Sequence, residues 1–124
     1  MTHLALIIED EDDLSAIFSE ALQVAGFTTE AIKRGDTAMA RLTEVVPEVV
    51  VLDLHLPGVD GKDLMKHIRE DARLAHTQIV VASADAALAQ ALEVNADLTL
   101  LKPISFSQLR DLARRLLPAT AESD

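Results

Sequence analysis

The chain has 124 residues, with 21 Asp or Glu against 11 Lys or Arg, which gives a formal net charge of −10. One domain fits that length, and so acidic a surface, with three Phe and neither Trp nor Tyr, offers nucleic acid neither a basic patch nor a stacking platform. The absence of Cys removes disulfide and thiolate chemistry, while 49% hydrophobic and 26% charged residues read as globular, with no apolar run near membrane-spanning length.

Leu4 to Ile8 is a continuous apolar run too short for a signal-peptide core, and it meets acid at Glu9. It reads as a strand buried on both faces. Leu14, Ile17, Phe18, Ala21, Leu22 and Ala25 then mark one face of a helix, with Asp13 as its cap and Gly26 as its end. Thr28 to Ile32 reads as a short strand. A second helix opens at Asp36, turns Ala38, Leu42 and Val45 inward, and stops before Pro47.

Val49 to Leu54 is the strongest strand signal, and it runs into the turn-rich segment Leu56-Pro57-Gly58-Val59-Asp60-Gly61. Leu64, Met65 and Ile68 mark a third helix, and Ile79 to Ala82 a fourth strand. Asp85 caps an alanine-rich fourth helix expected to end near Asn95. Leu98 to Leu101 is the fifth strand. Ser105 with Gln108 forms a capping box for a last helix carrying Phe106, Leu109, Leu112, Ala113 and Leu116. Five strand-helix pairs in this length predict a doubly wound α/β domain over residues 1–118, with a polar tail at 119–124.

The polar residues with chemical potential fall at the C-terminal ends of these strands: Glu9 and Asp10, then Asp53, Ser83 and Lys102. In open parallel sheets ligands bind outside those ends, where strand order reverses. A flavodoxin-like order 2-1-3-4-5 brings the acids together, collapsing sequence separations of 43, 30 and 19 residues into one site. Three ionised carboxylates that close need a cation, and oxygen ligands without His or Cys suit Mg²⁺. Lys102 supplies a point charge suited to a phosphoryl group, and a carboxylate can be the nucleophile that accepts one. Asp53, flanked by the other acids and Lys102, is the natural acceptor, because such transfer is mostly positioning and charge neutralisation.

Glu9-Asp10, Asp53 in Asp-Leu-His-Leu-Pro-Gly-Val-Asp-Gly, Ser83-Ala84 and Lys102-Pro103, in that order and each after an apolar strand, resemble the receiver domain of bacterial two-component response regulators. The resemblance runs from Leu4 to about Leu117 and is to the single-domain type. It implies that Asp53 is phosphorylated by a histidine kinase or histidine phosphotransfer protein. It also implies that Asp10, Asp53 and the main-chain carbonyl of His55 bind Mg²⁺, with Glu9 acting through water. Ser83 is then expected to bond a phosphoryl oxygen and shift on activation, Lys102 to pair with another, and the small Ala84 to leave access. By the same resemblance the Lys102-Pro103 peptide is expected to be cis.

Two positions depart from that pattern: Thr99 stands where receivers often carry the aromatic switch residue, and Ile104 where Phe is common. The implied module is cytoplasmic, catalyses only its own phosphorylation and dephosphorylation, and acts through a downstream protein target. It has no direct nucleic-acid or membrane partner and forms at most a weak homodimer. Two rival readings remain at this stage. One is a hydrolase of the haloacid-dehalogenase type, which usually has a second Asp where His55 stands; the other is a scaffold that works without phosphorylation.

Simpler roles account for other polar residues. Asp12 and Asp13 suit a helix N-terminus, Asp60 and Gly61 the turn, and Thr99 a strand. His55 is either a pH-sensitive modulator of dephosphorylation or a solvated loop residue, and His3, His67 and His76 are expected at the surface.

Overall fold

The alternation of short apolar runs with amphipathic segments produces a central sheet with helices on both sides. The structure, a computed structural model, describes residues 3–92 and 95–116. Its elements are β1 (Leu4–Ile8), α1 (Asp12–Val24), β2 (Thr28–Ile32), α2 (Gly35–Leu42), β3 (Val49–Asp53), α3 (Gly61–Glu70), β4 (Gln78–Ser83), α4 (Ala86–Ala91), β5 (Leu98–Leu101) and α5 (Phe106–Leu116), with a 3-10 turn at Ala72–Leu74. The five strands are parallel in the order β2-β1-β3-β4-β5, as the sequence predicts.

Strand side chains alternate between two core layers. Ala5, Ile7, Val49, Val51, Val80, Ala82 and Leu100 pack with Phe18 and Leu22 of α1 and Leu109 and Leu116 of α5. On the other face Leu6, Ile8, Val50, Leu52, Ile79 and Val81 pack with Ala38 and Leu42 of α2 and Leu64, Met65 and Ile68 of α3. All five residues of β3 are buried, which explains why it reads as an unbroken apolar run.

Several ends fall where local chemistry directs them. Gly26 at φ 108° closes α1, with its N–H donating to Gln23 O and that of Phe27 to Leu22 O, the paired bonds of a left-handed helix stop. Asp60, Asp85 and Ser105 accept backbone N–H groups at the starts of α3, α4 and α5.

Other ends differ from expectation. α1 begins at Asp12 behind Glu11, so Asp13 lies in the first turn and is not the cap. α2 begins at Gly35 behind Arg34, with Asp36 in its first turn. α4 stops at Ala91, before Asn95, with only Ala89 fully buried; six residues carry too little packing to hold a longer helix. His3, expected at the surface, is partly buried against Glu48 Oε1 at 2.6 Å. The side chain of Ala113 and the tail expected after residue 118 lie outside the described residues. No helix among the described residues is long and apolar enough to cross a membrane.

Candidate functional site at the strand ends

Period-two alternation decides which strand-end side chains meet. Ala5 and Ile7, Val49 and Val51, and Leu98 and Leu100 face the α1/α5 layer. Two residues on from each pair come Glu9, Asp53 and Lys102, so all three side chains leave the sheet on that side. The register sets them level: Ile8 pairs with Leu52, and Asp53 with Ala82. The ladder continues past the last strand pairs through Glu9 N to Ile32 O and Lys102 N to Ser83 O, both 2.9 Å. Ser83 has the parity of Ile79 and Val81 and emerges on the opposite side.

The geometry matches this arithmetic. Glu9, Asp10 and Asp53 place carboxylate oxygens within 4.8 Å of one another, with Asp10 exposed and the other two buried. Lys102 Nζ lies 3.0 Å from Glu9 Oε1 and 3.7 Å from Asp53 Oδ2. Asp53 Oδ1 accepts the His55 N–H at 3.1 Å, and Glu9 Oε2 accepts the Glu11 N–H at 3.1 Å. The five consecutive acids Glu9 to Asp13 are thereby divided. The first two serve the strand end, while Asp12 and Asp13 sit in the first turn of α1, where the helix dipole favours them.

Burial pushes the Glu9 carboxyl up from 4.5 to about 7; Lys102 opposes this, and the like charge of Asp53 reinforces it. For Lys102, burial alone favours loss of the proton, but Glu9 and Asp53 outweigh it and hold the ammonium above its ordinary value. The cluster therefore carries more negative charge than one lysine neutralises. Glu9 Oε1 is buried beside Lys102 Nζ and, among the described residues, has no other partner. An under-satisfied carboxylate oxygen beside two more carboxylates is the donor set of a hard divalent cation, so these residues fit Mg²⁺.

Of the other predicted residues, Ser83 is fully buried and its Oγ accepts the Asp85 N–H at 3.0 Å. Its own proton stays available for donation. Ala84 is exposed and lines a shallow groove with Lys102, Pro103 and Ile104, opposite Leu14 and Ile17 of α1. The His55 side chain is exposed. Thr99 is partly buried, with a hydroxyl that has no hydrogen-bond partner among the described residues. The Lys102-Pro103 peptide is cis, as the resemblance implies.

The sequence reading missed Gly35, whose N–H donates to Pro57 O at 2.9 Å in the loop after β3. A glycine directly before the predicted helix start at Asp36 was the available signal.

Fold and site describe a small doubly wound domain whose acidic centre lies at the point where strand order reverses. A family model for the response regulator receiver domain matches residues 5–114, and the chain belongs to that family. It is thus a receiver domain of two-component signalling.

The chain is 32% identical over 114 residues to the phosphate regulon transcriptional regulatory protein PhoB of Rhizobium meliloti, covering 90% of this chain and 50% of that protein. It is 33% identical over 121 residues to the sensory transduction protein RegX3 of Mycolicibacterium smegmatis, covering 96% and 52%. The chain thus spans about half the length of these curated relatives. Among solved structures, the CheY-like receiver domain from Methylobacillus flagellatus superposes with a TM-score of 0.82 at 25% identity, covering 94% of this chain and 100% of that one. The chemotaxis response regulator CheY4 of Vibrio cholerae superposes at 0.84 and 22% identity, with the same coverage. TrrA of Thermotoga maritima, in complex with Mg²⁺-BeF, gives 0.81 at 23% identity and again 94% and 100% coverage.

Proposed function

We propose that Asp53 is the phosphoacceptor of this receiver domain, taking its phosphoryl group from a phosphohistidine on a kinase or phosphotransfer protein. The observation that carries the reading is the convergence of Glu9, Asp10 and Asp53 within 4.8 Å beside Lys102. Asp10, the Asp53 carboxylate and the His55 main-chain carbonyl would hold Mg²⁺, with Glu9 acting through water. When bound, the cation supplies charge neutralisation for the carboxylates and for the phosphoryl oxygens.

The chain's own groups do the rest. The His55 N–H fixes the Asp53 carboxylate through Oδ1. A carboxylate oxygen attacks phosphorus in line as the P–N bond of the donor breaks; the bonding electron pair stays on the imidazole, which leaves neutral with its remaining proton. Lys102 turns from Glu9 toward a phosphoryl oxygen. The Ser83 hydroxyl, already an acceptor for Asp85 N–H, donates its free proton to another. Ala84 keeps the approach open. Hydrolysis by water returns the carboxylate, so the only turnover is the domain's own phosphorylation cycle, and the signal passes to a protein target.

The donor docks over the groove between α1 and the segment after β5. Leu14, Ile17, Pro103 and Ile104 offer it apolar contact, and Glu11 and Asp13 favour a basic rim on the partner. The acidity of this chain argues against direct nucleic-acid contact by the receiver itself. We place it in the cytoplasm, as a monomer or weak homodimer, with residues 1–118 as the domain.

The test is labelling of the purified chain by a small-molecule phosphodonor with and without Mg²⁺. The wild type labels only with Mg²⁺, and Asp53→Asn does not label. Persistent labelling of that variant sinks the assignment. Multiple-turnover release of phosphate from phosphate esters favours the hydrolase reading instead.

A further inference from the structure

The connection from Leu54 to Asp60 carries the His55 carbonyl and lies across a shallow cleft from Asp10. Its position therefore sets the width of the space between the exposed acid and the end of β3. His55, Pro57, Gly58 and Asp60 are exposed, and such segments usually sit at the low-stability end of a fold. Among the described residues, one backbone hydrogen bond reaches residues 54–59 from another element, and it comes from the first residue of α2: Gly35 N–H to Pro57 O, 2.9 Å.

The contact around that bond is unusually close. A methyl group on Gly35 would stand 1.8 Å from the Val59 carbonyl oxygen and 3.0 Å from Val59 Cα. These are backbone atoms and cannot swing aside. One residue on, the Asp36 carboxylate abuts Gly58: a Cβ there would fall 2.7 Å from Asp36 Oδ1, and Gly58 itself has φ +83°. Asp36 is held in turn by two Arg34 nitrogens at 3.0 and 3.2 Å and by Thr37 N–H at 2.9 Å.

We propose that Gly35 and Asp36 are positioning residues for the cation site: the start of α2 clamps the loop after β3 and sets the His55 carbonyl against Asp10. The inference rests on the Mg²⁺-dependent phosphoacceptor reading. It adds that cation affinity is set from an element that contributes no ligand. Groups hydrogen-bonded directly to metal ligands change metal affinity by about 10–100-fold when altered, and Gly35 and Asp36 act one step further out, through the loop that carries the His55 carbonyl.

The test titrates the 124-residue chain with Mg²⁺ while amide NMR shifts at Asp10 and His55 are followed. Gly35→Ala and Asp36→Ala are compared with Arg41→Ala, which removes the Arg41–Glu30 pair (2.7 and 3.0 Å) and loosens α2 without touching the loop. Gly35→Ala raises the Mg²⁺ dissociation constant about tenfold or more. Asp36→Ala raises it less, and Arg41→Ala leaves it at the wild-type value despite lower stability. In phosphorylation kinetics the half-saturating Mg²⁺ of Gly35→Ala rises in step, while the maximal rate returns at saturating Mg²⁺.

Wild-type Mg²⁺ affinity in Gly35→Ala, with the Gly58 and Val59 amides displaced, overturns the clamp. An equal loss in Arg41→Ala does the same, since it marks general loosening. If Gly35→Ala does not fold, the comparison of Asp36→Ala with Arg41→Ala decides alone, and wild-type affinity in Asp36→Ala overturns the proposal. A wild-type chain that shows no Mg²⁺ response refutes the functional reading itself, an outcome distinct from failure of the clamp.

Discussion

Glu9 is the residue on which the electrostatics of the site turn. Its folded-state value of about 7 exceeds its ordinary 4.5, first because it is buried and then because Asp53 repels it. A carboxyl raised in this way contributes stability that is fully present below 4.5 and is lost as pH rises through 7. The difference corresponds to roughly 3 kcal/mol. Metal-free protein is therefore less stable to urea at pH 8 than at pH 5.5, and saturating Mg²⁺ flattens that slope by neutralising the carboxylate. Glu9→Gln flattens it without Mg²⁺; an unchanged slope in that variant contradicts the assignment to Glu9.

The same residue shows what the sequence reveals at this scale. Glu9, Asp10, Asp53 and Lys102 were legible because acids and a lysine directly after buried apolar runs stand out, and strand parity carries three of them to one side. Gly35 was not legible as part of the site. Its role is a backbone approach to Pro57 and Val59, and a glycine's identity does not name the distant segment that presses against it.

At the scale of elements, legibility followed packing. β3 was read correctly, apart from its last residue, because burial on both faces leaves no polar interruption before Asp53. α2 starts one residue before the acid that capping rules favoured, because Gly35 is already committed to the loop contact. α4 was overextended, since an alanine-rich run has helical propensity throughout and no pattern that marks its end. The short helix instead depends on its start, where Ser83 Oγ accepts Asp85 N–H and Asp85 Oδ1 accepts Leu88 N–H at 3.0 Å.

Loss of such a cap typically costs about 1 kcal/mol. Asp85→Ala is thus expected to lower hydrogen-exchange protection at Ala89 selectively, leaving α3 unchanged. Equal loss in both helices would show that α4 does not open on its own. If Ser83 shifted toward a phosphoryl group, the acceptor of Asp85 N–H would be withdrawn, which would couple the site to this weakly packed helix. That path does not need the aromatic residue replaced here by Thr99.

For the molecule as a whole, the excess of acid now has a place. Part of the net charge of −10 is concentrated where strand order reverses, and the two core layers hold it there by burying Glu9 and Asp53. Burying like charges is unfavourable unless a cation or phosphoryl chemistry makes use of them. The sheet thus supplies a poised site, and the helices supply its access groove and its clamp. The strand order could be anticipated from five alternating units; the boundaries of the helices could not, because tertiary contacts set them.

The most direct test of the central claim is to identify the modified atom. The chain is incubated with Mg²⁺ and a small phosphodonor, the acyl phosphate is trapped by borohydride reduction, and the peptides are mapped by mass spectrometry. The account predicts reduction at Asp53 alone, dependent on Mg²⁺. Modification at another carboxylate or at a histidine, or Mg²⁺-independent modification of Asp53, would contradict it.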